Sequence, residues 1–130
     1  MTPDVYLEKA ERALSAAQIL LDADSPEGAC NRAYYAMFDA AHAALLAVGV
    51  STGQASIKTH AGLIGAFGKH LVQSGLIDAA YGRSLNQVHH LRQLADYTGD
   101  PVSAADAAWA FEQARAFVAA IKIQFLPKQT

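Results

Sequence analysis

The amino-acid sequence predicts an all-α fold, an up-and-down bundle of about five helices forming one domain over residues 1–130. Three observations carry that expectation. With 52% apolar residues, the chain has enough to build a core without disulfides or metal. It is rich in Ala and Leu and interrupted by only four Pro and nine Gly, which suits helices better than many short strands. Helix start and stop signals also recur at domain-like spacing, with short connections between them.

Thr2, Pro3 and Asp4 open the first helix, Pro suiting the first helical position and the acid the positive end of the dipole. It is expected to reach about Ala23. Ser25, Pro26 and Glu27 repeat the signal and open a long second helix that ends near Val48, before the loop at Ser51, Thr52 and Gly53. A third helix spans roughly Thr59 to Gln73, where Ser74 and Gly75 stop it, and a fourth runs from about Asp78 to Asp96. Tyr97 to Val102, with Gly99 and Pro101, forms a turn. Ser103 and Asp106 then make a capping box for a fifth helix reaching Phe125.

The net charge of −2 excludes a chain whose whole surface binds nucleic acid by charge alone. Its distribution is uneven. Between Ala40 and Ala95 the one acid, Asp78, stands against Lys58, Lys69, Arg83 and Arg92, and all five histidines fall in that stretch. Such a segment either meets phosphate or reflects chance unevenness in a short chain. The lone Cys30 gives no internal disulfide, no signal-peptide pattern opens the chain, and no apolar run approaches the ~20 residues that cross a bilayer. These features predict a cytoplasmic protein without membrane contact.

Polar residues within apolar stripes point to a site. On the second helix Asn31 and His42 fall in the arc of Tyr35, Phe38, Leu45 and Leu46, with Asp39 at its edge. On the fourth, Arg92 sits in the middle of the stripe of Tyr81, Leu85, Val88 and Ala95. A stranded buried guanidinium costs several kcal/mol, so Arg92 is expected to find partners. The predicted cluster sets Asn31, Tyr35, Asp39 and His42 against Arg92, with Asp96 and Tyr97 at the helix end. It either only fixes helix register or binds a ligand.

The strings NRAYYAMFDAAHAALLAVGV, KTHAGLIGAFGKHLVQSGLID, HHLRQLADYTGD and AADAAWAFEQARAFVAAIKIQF, in this order over nearly the whole chain, resemble a bacterial and archaeal branch of the HEPN superfamily. The resemblance implies a helical bundle that forms a homodimer. It also implies a metal-independent endoribonuclease of a toxin-antitoxin pair, with a minimal nucleotidyltransferase as partner and RNA as target. Active branches carry Arg, four to six intervening residues, then His. A His can take the proton of a ribose 2′-hydroxyl or protonate the leaving oxygen, while Arg binds the growing phosphoryl charge. The Arg that aligns is Arg92, and the place after four intervening residues holds Tyr97, a poor general base with an ordinary pKa of about 10. Arg83 with His89 or His90 also fits the spacing, one segment earlier. His42 and His90 are the candidate proton carriers, and Tyr97 a candidate for AMP addition by the partner.

Other signals carry less. Gly62, Gly65 and Gly68 before Lys69 lack the spacing, the Ser or Thr and the strand of a phosphate loop, and are expected to allow close helix contact. No histidine pair has metal-ligand spacing, so neither a metal nor another cofactor is expected. Cys30 reads as a small core residue, and Trp109, Phe111, Phe117, Val118 and Ile121 as core or dimer packing. Three functions remain open: a ribonuclease toxin, a non-catalytic module binding RNA, a nucleotide or a nucleotidyltransferase, and a structural dimer.

Overall fold

In α1 (Pro3–Asp22) the side chain of Thr2 accepts the amide N–H of Val5, so an otherwise orphaned donor of the first turn is satisfied next to Pro3 and Asp4. This is a computed structural model that describes residues 2–54, 56–99 and 101–125, apart from the side chain of Asp96. The turn out of α1 places Asp24 at φ 58°, a left-handed conformation that Asp tolerates better than most residues, and returns Ser25 N–H to the Leu20 carbonyl. Then α2 (Pro26–Ala47) starts on Pro26 and Glu27; Ser25 occupies the cap position but makes no side-chain capping bond.

The segment expected as one helix from Thr59 to Gln73 divides. It is α-helical in α3 (His60–Phe67) and widens into a π turn over Gly68–Val72, which Gln73 N–H closes onto the Gly68 carbonyl five residues back. Gly75, at φ 80°, ends it as expected. Next, α4 (Ala79–Thr98) is capped by Asp78 and extends two residues beyond its predicted end. Tyr97 is therefore helical, and the chain turns at Gly99, φ 73°. Finally α5 (Ala104–Phe125) carries the Asp106 N–H to Ser103 Oγ bond of its predicted cap.

Among the described residues the fold is an all-α bundle of five helices with α2 at its centre, packed against α1, α3, α4 and α5. That position explains its sequence: a helix surrounded by partners is apolar on most sides. Ala29, Ala33, Ala36, Ala40, Ala43 and Ala44 of α2 are all buried, and small side chains let neighbouring helices come close. Tyr34, Met37 and Leu45 of α2 are fully buried with Phe67 and Phe117 in one core, and Cys30 belongs to it. Phe117, Val118 and Ile121 of α5 pack there too, whereas Trp109 is exposed.

The three glycines of α3 and its π turn do not all serve close helix contact. A Cβ on Gly62 would lie 2.0 Å from the Ser56 carbonyl oxygen, so Gly62 is required by the preceding turn. At Gly65 and Gly68 a Cβ would meet nothing within 4 Å. No helix among the described residues is long and apolar enough to cross a membrane.

Candidate functional site

Asn31, Tyr34, Tyr35 and Phe38 are spaced i, i+3, i+4 and i+7, so α2 presents them along one side. Arg92 of α4 lies over that side. Its Nε donates to Asn31 Oδ1 at 2.9 Å, a well-formed bond, and its Nη2 to the Tyr35 hydroxyl at a longer 3.4 Å. The guanidinium carbon stands 4.9 Å from the Tyr34 ring centroid and 5.2 Å from that of Tyr35, in cation–π range of both. All these partners are neutral. Among the described residues no carboxylate forms an ion pair with Arg92. Glu27 and Asn31 line a cavity of about 30 Å³ beside it, room for about one water, without Glu27 reaching ion-pair distance.

Below the guanidinium, the Tyr34 hydroxyl and His60 Nδ1 are hydrogen-bonded at 2.6 Å. His89 stacks on the Tyr34 ring, centroids 5.0 Å apart and 30° inclined, and the two imidazoles lie nearly parallel, 6.0 Å apart. Burial lowers the pKa of both histidines, and the positive charge of Arg92 adds to the effect. At neutral pH both imidazoles are therefore uncharged and able to accept a proton. Burial pushes the Tyr34 phenol far up, so it stays protonated. In the tautomer in which His60 Nδ1–H donates to the Tyr34 oxygen, Nε2 carries the free lone pair of a base whose ring is already oriented.

The geometry divides the residues selected from sequence. Asn31 and Tyr35 meet Arg92. Asp39 and His42 do not: they lie towards α1, where His42 stacks on Tyr6 at 4.6 Å and Lys9 is the strongest charged neighbour of both. Angle alone put His42 on the Asn31 side of α2. Eleven residues at about 1.5 Å each separate the two by roughly 16 Å along the axis. Burial raises the Asp39 carboxyl above the usual range, opposed by Lys9 and Arg32.

On α4, His90 is exposed, about 160° around the helix from Arg92. Tyr97 is 93% exposed, about 140° around, and Arg83 is exposed on the far side. The side chain of Asp96 lies outside the described residues. Sequence pattern missed His60 and passed over His89. His89 was legible, since it precedes Arg92 by three residues and shares its face. No periodicity links His60 to α2 or α4; the fold brings it there. Among the described residues no group of three His, Cys, Asp or Glu side chains could hold a metal ion.

The HEPN domain model fits residues 4–124, nearly the whole of this helical chain. The chain belongs to the HEPN family. It is 40% identical over 116 residues to a Methanocaldococcus jannaschii protein named "Putative toxin MJ0605", covering 89% of this chain and 83% of that one. It is 40% identical over 101 residues, 76% of each chain, to the UPF0332 protein glr0978 of Gloeobacter violaceus. To "Putative toxin MJ0142" of M. jannaschii it is 32% identical over 91 residues, 70% of this chain and 58% of that one.

Proposed function

We propose that this HEPN protein is a toxin-like RNA-binding protein that cleaves RNA at the Arg92 site without a metal. One observation carries the reading: a guanidinium held by Asn31, Tyr35 and Tyr34, with no carboxylate paired to it among the described residues, stands beside two neutral imidazoles. Its positive charge is left for an incoming anion, and a phosphodiester supplies one whose non-bridging oxygens the planar arginine fork can bind.

The chemistry balances within the chain. The bare Nε2 of His60 takes the proton of a ribose 2′-hydroxyl; O2′ bonds to the adjacent phosphorus as the bond from phosphorus to O5′ breaks. The imidazolium so formed at His60, directly or by passing its proton to the neutral His89 beside it, protonates O5′, leaving a 2′,3′-cyclic phosphate and a free 5′-hydroxyl. Arg92 stabilises the charge that builds on the phosphoryl oxygens. His60 and His89 replace His42 and His90 as proton carriers because they stand at the guanidinium. Incubation of the full chain with unstructured RNA in excess chelator is expected to yield fragments with 2′,3′-cyclic ends. RNA that stays both intact and unbound in gel-shift would remove the reading.

The reading includes a homodimer and a minimal nucleotidyltransferase partner. The second is favoured by Tyr97, whose phenol projects from the last turn of α4 fully open to another enzyme. AMP added there would place a bulky anion at the end of the helix that carries Arg92. Light scattering is expected to give twice the chain mass, and intact-mass analysis after co-expression with such an enzyme one AMP on the Tyr97 peptide. A monomeric mass and an unmodified peptide would each refute its own part.

A further inference from the structure

A groove of about 530 Å³ runs between α3 with its π turn and α4, and the Arg92 site does not account for it. Its polar lining is Lys69 and Gln73 on one wall and Asn86, His89 and Gln93 on the other. Lys69 and Gln73 are i and i+4, and Asn86, His89 and Gln93 are i, i+3 and i+7, so each wall is one helical face. Among the described residues lining it none is acidic, while Lys69, Gln73, Asn86 and Gln93 are exposed and within reach of a ligand. The floor is open because Gly65 and Gly68 leave empty the space a side chain would fill. Asn86 donates through Nδ2 to the Gly82 carbonyl at 3.1 Å, which leaves Oδ1 free to accept.

Primary amides offer a donor and an acceptor side by side, the pattern on the edge of a nucleobase. One cation among neutral amides suits a ligand with one or two negative charges. His89 lines this groove and also stacks on Tyr34, over whose ring Arg92 lies, so the groove opens towards the guanidinium. We propose that it is a nucleotide subsite: the amides read the edge of one base, Lys69 meets its phosphate, and the neighbouring phosphodiester lies at Arg92. The position next to a scissile phosphate rests on the RNA reading above; the groove's own chemistry does not.

The test titrates 5′-AMP and 5′-UMP into the full chain and follows backbone amide NMR shifts in wild type, Gly65→Ala, Gly65→Leu and Lys69→Gln. Gly65→Ala adds a single methyl to the floor and suits a helix, so it controls for folding. The expected result is shifts concentrated at residues 65–73 and 86–93, weakened in Lys69→Gln, weakened less in Gly65→Ala than in Gly65→Leu, and by roughly tenfold or more in Gly65→Leu, where the added side chain occupies the base position. In RNA cleavage, Gly65→Leu is expected to change which bases flank the cut while Arg92 remains necessary. Shifts elsewhere, or unaltered binding and base preference in a folded Gly65→Leu, overturn the proposal. Wild type that ignores RNA yet shows the groove shifts sinks the RNA reading alone. Arg92-dependent cleavage without groove shifts or altered base preference sinks the groove alone.

Discussion

Under the proposed ribonuclease function, replacing Arg92 by alanine is expected to lower RNA cleavage by about two to three powers of ten, the usual effect of removing one preorganised group that stabilises developing charge. Lysine at the same position falls between. It keeps the charge but loses the planar fork, and a single ammonium cannot reproduce both the Nε bond to Asn31 and the stacking on Tyr34 and Tyr35. Alanine leaves Asn31 Oδ1 and the Tyr35 hydroxyl short of a partner, and lysine keeps only part of what arginine gave them. The site is only partly buried and water can enter, so the expected loss of stability is near the low end of about 1–3 kcal/mol. Cleavage rates and urea unfolding on the same preparations separate the two effects. An alanine variant that cuts RNA within a few-fold of wild type would show that Arg92 does not bind the reacting phosphate.

The helices were legible because their ends are written in local chemistry. Thr2 with Pro3, Asp78, Gly75, Gly99 and Ser103 each act within one turn, so no tertiary information is needed to place them. The π turn was not, since the apolar spacing from His60 to Val72 suits an α-helix equally well. Arg92, Asn31 and Tyr35 were legible for a different reason: a cation in an apolar stripe must be answered by a neighbouring helix, and an i, i+4 pair on α2 answers it. The error at Asp39 and His42 came from treating a helix as a wheel, where residues eleven apart coincide in angle and not in height. His60 depended on a contact between residues 26 positions apart on different helices, Tyr34 to His60, which no periodicity encodes.

His42, displaced from the site, predicts a second large effect. Its ring stacks on Tyr6, meets Phe38 edge-on at 4.9 Å, and has a buried Nδ1 without a hydrogen bond among the described residues. Burial, with Lys9 adding to it, lowers its pKa to about 4 from 6.5. The unfolded chain therefore binds a proton at pH 6.5 that the folded chain refuses until about pH 4. Stability is complete above pH 6.5, declines as pH falls through that window, and levels off below it. The difference corresponds to a loss of about 3 kcal/mol at its largest. His60 and His89, also lowered, act in the same direction. Asp39, whose raised pKa makes the folded state the better proton binder, acts against it. Comparing wild type with His42→Phe isolates the one residue, because phenylalanine preserves the aromatic packing and cannot titrate. Urea unfolding at about pH 7 and about pH 4 is expected to show a decline smaller by about 2–3 kcal/mol in the variant. Equal declines in the two proteins would mean that the His42 ring takes up its proton in the fold as readily as in the open chain.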